Sequence, residues 1–456
     1  MKGWSLQNSA ENKENKKKAV RSSLRHFITY VIVTTVIIFS PLVLTGCDLM
    51  EDAAEFAGEL KGKLRFRDDE DRDDDDLIDL VSDEKDYVIT ITDDEAEWNS
   101  FDNAAKLSPS GMTSLRLDEL SDVTSGYYYM MVSDEEKEVY DEIYTLLTGF
   151  ENDSVLSTTD TDMIDHAFTC VLVDHPEIFY VKGYSIKTYT RDGVVERIAM
   201  SGTYTMTQSQ VMEFLPELDR YYYACTAAIP ADGDEYTKVK NVYEYIIRNT
   251  EYDLRAPNNQ NILSVFVNQR SVCQGYAKAM QYILNRLGIF CTLVEGTVKE
   301  NEAHVWDMVR INGRYYHVDT TWGDASYKLV GESNDGNALR PPEINYDYLC
   351  ITTDEILETH DIKEIVPLVK CDSIDDNYYV REGLYFTSVD DEGLRRAFEK
   401  AYEQNLPTIT LKCADYDVYH DMEEYLLEEQ KIFNYLENTS VNFVTVEEQR
   451  EIIFYL

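Results

Sequence analysis

Asn312-Gly313 lies between two runs that alternate apolar and polar residues, "HVWDMVRI" before it and "RYYHVDTTWGD" after it. A two-residue loop of this kind closes antiparallel strands in one register. Ile311 must then face Arg314, and counting outward sets Trp306 opposite Asp319 and His304 opposite Thr321. Side chains alternate across a strand, so these four residues share one face, and Asp319 is the diagonal neighbour of His304, about 7 Å away. Asp307 points to the other face. His317, on the shared face two residues before Asp319, competes with His304 for that acid.

Upstream, "SVCQGYAKAMQYILNRLG" (residues 271–288) reads as an amphipathic helix. Ser271 and Gln274 form a capping box; Tyr276, Ala279, Met280, Ile283, Leu284 and Leu287 form one apolar stripe; Gly288 stops the helix. This assignment puts Cys273 at the second helical position, where unpaired N–H groups and the helix dipole favour a thiolate. Gly275 is expected to leave room beside the sulfur for a substrate backbone. A cysteine, an imidazole and an acid in this order make a nucleophile, base and orienter. A buried core thiol explains Cys273 equally well on these residues alone. A metal bound by His304, His317 and Asp319 is a further alternative, but no zinc-type spacing is present and no metal or other cofactor is expected.

The three segments together (the helix before Cys273, the Cys273 helix and the hairpin, within residues 236–324) resemble the bacterial transglutaminase-like domain of the papain-like cysteine superfamily. The resemblance implies an α+β fold in which the cysteine-bearing helix packs on an antiparallel sheet. It assigns Cys273 as nucleophile, His304 as base and Asp319 as orienter, and so decides between the two histidines. Active members make a thioester from an amide carbonyl and pass the acyl group to water or an amine; other members are inactive. The expected activity is therefore acyl transfer on peptide or protein amides. Hydrolysis is favoured, because an exposed site gives water the advantage. A catalytically inactive surface binding module is the alternative. Gln274, Gly275, Trp306, Tyr252 and Trp322 are expected to lie beside the substrate, with Tyr252 or Gln260 as the second oxyanion donor.

The N-terminus indicates where such chemistry would occur. A basic stretch from Lys16 to Arg25 precedes twenty uncharged residues (27–46), whose last three lead into Cys47 as "LTGC" (44–47). This resembles an export signal closed by a bacterial lipobox, with Cys47 as the lipidated residue. The expected protein is a lipoprotein on the outer face of the cytoplasmic membrane, acting on proteins or peptides in the envelope or beyond. The acidic stretch that follows, including "DDEDRDDDD", lacks the glycine and glutamate of a calcium loop and reads as a solvated tether. With 42 Lys and Arg against 86 Asp and Glu, the net charge is −44. That field repels phosphate backbones, so nucleic acid is excluded as a partner.

A chain of 456 residues exceeds one core. The expected order is a signal peptide (1–46), a tether (47–86), an N-terminal α+β domain (87–231), the transglutaminase-like domain (232–330) and a C-terminal α/β domain (346–456). In the N-terminal domain Ser133 and Glu136 suggest a second capping box. His166 and His175 lack a metal-spaced partner there. Cys170, Cys291 and Cys413 sit in apolar runs and read as buried thiols.

Overall fold

A computed structural model describes residues 126–298, 301–324 and 342–456, with the backbone of four short strands, Trp4–Gln7, Thr90–Thr92, Gly331–Glu332 and Ala338–Leu339. The apolar run, Cys47 and the acidic tether lie outside the described residues. Among those that are described, no helix is long and apolar enough to cross a membrane. The chain divides into two compact units: Leu77–Tyr327 with Pro342–Glu382, and Met1–Asp76 with Lys328–Pro341 and Gly383–Leu456.

The first unit is mixed α+β around an antiparallel five-stranded sheet. Its strand order is Leu349–Ile351, Arg314–Val318, Glu302–Ile311, Cys291–Val298, Asp361–Lys363. The central hairpin has the register expected of its turn: Ile311 faces Arg314 and Asp307 faces Val318. Asn312 and Gly313 both take positive φ (51° and 82°), as a turn matched to strand twist requires. The sequence expectation began a C-terminal domain at 346. Residues 349–351 and 361–363 instead supply both edges of this sheet, and the second unit takes up the chain again at Gly383.

Helix Cys273–Arg286 lies on the Glu302–Ile311 and Cys291–Val298 strands and against helix Glu235–Asn249. The latter buries Val239, Val242, Tyr243 and Ile246, the stripe its spacing predicts. A second hairpin, Val181–Arg191 with Val194–Tyr204, turns at Asp192-Gly193. Helices Asp134–Gly149 and Thr161–Asp174 pack together in this unit. Ser133 Oγ accepts the Glu136 N–H at 3.2 Å, but the Glu136 carboxylate reaches His166 rather than closing the expected capping box.

The second unit has strands Thr408–Cys413, Glu451–Tyr455 and Ser440–Val446 in an antiparallel arrangement, with Tyr385–Phe386 parallel at one edge. Helix Asp391–Glu403 buries Leu394, Ala397, Phe398 and Ala401 in its core. Trp4–Gln7 is the other edge strand, with Trp4 opposite Phe443.

Candidate active site

Cys273 opens its helix at the first helical position, one earlier than the sequence suggests, with Val272 as N-cap. No side chain caps the helix. The Ser271 hydroxyl turns inward to Ser264 Oγ, 2.6 Å away, so the proposed box of Ser271 and Gln274 does not form. The cause is tertiary. A Cβ on Gly275 would lie 1.9 Å from Ser271 Oγ, 2.6 Å from Ser264 Oγ and 3.0 Å from the Asn259 carbonyl oxygen. Gly275 therefore makes room for the protein's own loop, not for a substrate. Gln274 is buried in the same turn.

The thiol is enclosed, with Cys273 2% exposed. This removes the argument for hydrolysis that an open site would supply. His304, on the central strand, reaches Asp319 through Nε2 at 2.7 Å from Oδ2, and its other ring nitrogen is left for the Cys273 thiol. Burial alone would depress the imidazole pKa. The Asp319 charge and hydrogen bond, with a smaller contribution from Cys273, raise it to about 10.

Asp319 follows the strand instead of extending it. The ladder ends at Val318, and helix Thr320–Asp324 begins at once, so Asp319 and Thr321 do not take the cross-strand positions counted from the turn. Asp319 Oδ1 accepts the N–H groups of Thr321 at 2.9 Å and Trp322 at 3.0 Å. Oδ2 accepts His304 and also His360 Nε2, at 3.1 Å. Burial opposes ionisation, but the two imidazoles and their hydrogen bonds outweigh it and hold the carboxyl well below the usual carboxylate range.

The helix carrying Cys273 is joined to this turn by Tyr276. Its hydroxyl lies 2.6 Å from Asp324 Oδ2 and 3.0 Å from the Thr250 carbonyl oxygen. Gly323 admits the ring of Tyr243, whose hydroxyl donates to Asn345 O at 2.6 Å.

Trp306 is fully buried and stacks on the His304 ring, with centroids 6.1 Å apart and planes 20° apart. Its Nε1–H donates to His317 Nδ1 at 3.1 Å, and the histidines that reach Asp319 among the described contacts are His304 and His360, not His317. Burial, and then the neighbouring His360, lower the His317 pKa to about 3. Asp307 faces away, and Cys291 Sγ donates to its Oδ1 at 3.4 Å. Trp322 covers His304 from another side, 6.2 Å between rings. Tyr252 is 42% exposed and close enough for the Cys273 charge to help raise its pKa, after burial. Gln260 Oε1 is buried without a hydrogen-bond partner.

Sequence reasoning missed His360. It sits between helix Thr353–Ile356 and the edge strand Asp361–Lys363, 41 residues from Asp319. No local motif signals that contact.

Among the described residues, two groups have donor atoms close enough to hold a cation. One is His304, Asp319 and His360, where the carboxylate already accepts four N–H groups. The other is Glu136, His166 and Cys170, which corrects the expectation that His166 lacks a partner at metal spacing, since Cys170 lies one helical turn on. His175 pairs with Glu177 at 2.7 Å. All seven cysteines among the described residues are unpaired and buried, including Cys170, Cys291 and Cys413.

Residues 224–320 match the family model described as the transglutaminase-like superfamily. Among solved structures, the chain is similar to one described as a TGase, at 16% identity with TM-score 0.23, covering 31% of this chain and 44% of that one. A protein from Cytophaga hutchinsonii provisionally called a cysteine protease matches at 16% identity with TM-score 0.21, covering 30% of this chain and 61% of that one. The periplasmic domain of TgpA from Pseudomonas aeruginosa, bound to ethylmercury, matches at 16% identity with TM-score 0.20, covering 28% and 56%. The matched part thus spans less than two thirds of each of these chains. No curated protein matches the sequence. The segment that matches the transglutaminase-like family model, residues 224–320, is mixed α+β and contains Cys273, His304 and Asp319.

Proposed function

We propose that the protein is a cysteine acyl-transfer enzyme acting on peptide or protein amides through a thioester. The supporting observation is the buried His304, which binds the fully buried Asp319 carboxyl through Nε2 and turns its other ring nitrogen toward the Cys273 thiol. The Cys273 thiolate attacks the amide carbonyl carbon. The oxyanion forms at the helix start, where the Cys273 N–H is one donor and the Tyr252 hydroxyl the candidate second. The His304 imidazolium gives its proton to the departing amine, leaving a thioester. His304, now neutral, takes a proton from the incoming nucleophile. The tetrahedral adduct then expels the thiolate, releasing a carboxylic acid if the nucleophile was water or a new amide if it was an amine.

The substrate class is a peptide or protein outside the cytoplasm, reached from a lipid anchor at Cys47. This part of the reading comes from the N-terminal sequence. Labelling with a radioactive fatty acid tests it: wild type should take up label and partition to membranes, and Cys47→Ala should do neither.

The chemistry is tested by iodoacetamide at mildly acidic pH, with labelled cysteines mapped by mass spectrometry. Cys273 should react first, and His304→Ala should abolish its advantage. If Cys273 reacts no faster than Cys291 in wild type, the domain is a binding module. Parallel assays for ammonia release and for amine incorporation then identify the acyl acceptor.

A further inference from the structure

We propose that His360 is a positioning residue of this site, a second imidazole that shares Asp319 with His304 and so sets how firmly the acid grips the base. The proposal rests on the acyl-transfer reading above. Asp319 Oδ2 lies 2.7 Å from His304 Nε2 and 3.1 Å from His360 Nε2. An ionised carboxylate only accepts hydrogen bonds, so both ring nitrogens must carry hydrogen. The orienting oxygen is thus divided between two donors.

His360 is fixed for this task. Its Nδ1 is 2.8 Å from Thr359 Oγ1, which selects the ring orientation. Its ring lies against Trp306 edge to face, with centroids 4.9 Å apart, and 4.7 Å from Trp322. Those two indoles also flank His304. His360 and Asp319 side chains are both 0% exposed, so water cannot replace the donor. A carboxylate oxygen that loses one of two donors in a dry site binds the remaining one more strongly. The other charged or titratable groups facing this cluster are Cys273, Tyr243, Tyr252, Asp307 and His317. None of them donates a hydrogen bond to Asp319 among the described contacts, so none can stand in for His360.

The test is the pH dependence of Cys273 alkylation by iodoacetate in the detergent-solubilised full chain. This anionic reagent needs both the thiolate and the imidazolium, so its rate falls where His304 loses its proton. His360→Phe should move that alkaline limb to higher pH by about one unit, the effect of redirecting one charged hydrogen bond. His360→Gln can place an N–H where Nε2 stood and should restore the wild-type limb. If His360→Phe is folded by its thermal midpoint and keeps the wild-type limb, the proposal is wrong. It is also wrong if Phe and Gln shift the limb equally, since that marks a packing role. If wild-type Cys273 is no more reactive than the other thiols, both this proposal and the acyl-transfer reading fall.

Discussion

His304 Nε2 lies 2.7 Å from Asp319 Oδ2, although the strand that should carry Asp319 stops one residue earlier. Asp319 caps the next helix through Oδ1 while it binds His304 through Oδ2. One residue thus orients the imidazole and starts Thr320–Asp324. Asp319→Asn would place an amide N–H against at least one of these donors. Turnover on an amide substrate should fall about 10³–10⁴-fold. The thermal midpoint should also drop, because that mismatch leaves a buried donor without an acceptor, at a cost of about 1–3 kcal/mol. Normal turnover in a folded Asp319→Asn protein would remove Asp319 from the site.

His304 is held protonated up to about pH 10. Amide turnover should decline as pH rises through that value, because the leaving amine loses its proton donor. The raised pKa also contributes stability. That contribution is complete below the unfolded value of 6.5 and is lost as pH rises through about 10. Urea midpoints compared at neutral and strongly alkaline pH, for wild type and His304→Gln, should converge at the alkaline end.

His317 has the opposite sign. Its pKa near 3 means the native state stays unprotonated while the unfolded chain takes up a proton below about 6.5. Stability should therefore fall as pH drops from 6.5 toward 3, by about 2–3 kcal/mol over the first two units. His317→Gln should flatten that part of the stability profile. An unchanged profile would show that His317 is not the acid-sensitive group.

Gly275→Ala forces a methyl against Ser271 Oγ and Ser264 Oγ. It should cost about 1–3 kcal/mol, as overpacking does. Adding Ser271→Ala removes the nearest atom and should recover part of the loss in a chemical-denaturation experiment. If Gly275→Ala left stability intact but blocked substrate, the space beside the sulfur would belong to the substrate after all.

Local chain geometry accounts for what the sequence revealed. A two-residue turn fixes register, so Asn312-Gly313 was enough to pair Ile311 with Arg314 and to send Asp307 away from His304. Helical periodicity gave the buried faces of Glu235–Asn249 and Cys273–Arg286 for the same reason. The resemblance of three separated motifs named Cys273, His304 and Asp319. Other features depended on contacts that no local pattern encodes. Ser271 reads as a cap until Ser264, brought in from another helix, offers a closer partner. Gly275 reads as space until the Asn259 loop fills it. His360 is unremarkable in sequence, and only the edge strand beside it brings it to Asp319. Sequence alone determined the register of the central hairpin and the helical faces, because both follow from short-range geometry, while the triad is a proposal that rests on the resemblance of motifs. Tertiary structure decided which polar atoms meet in the buried site, because there each donor takes whichever acceptor the packed chain leaves within reach.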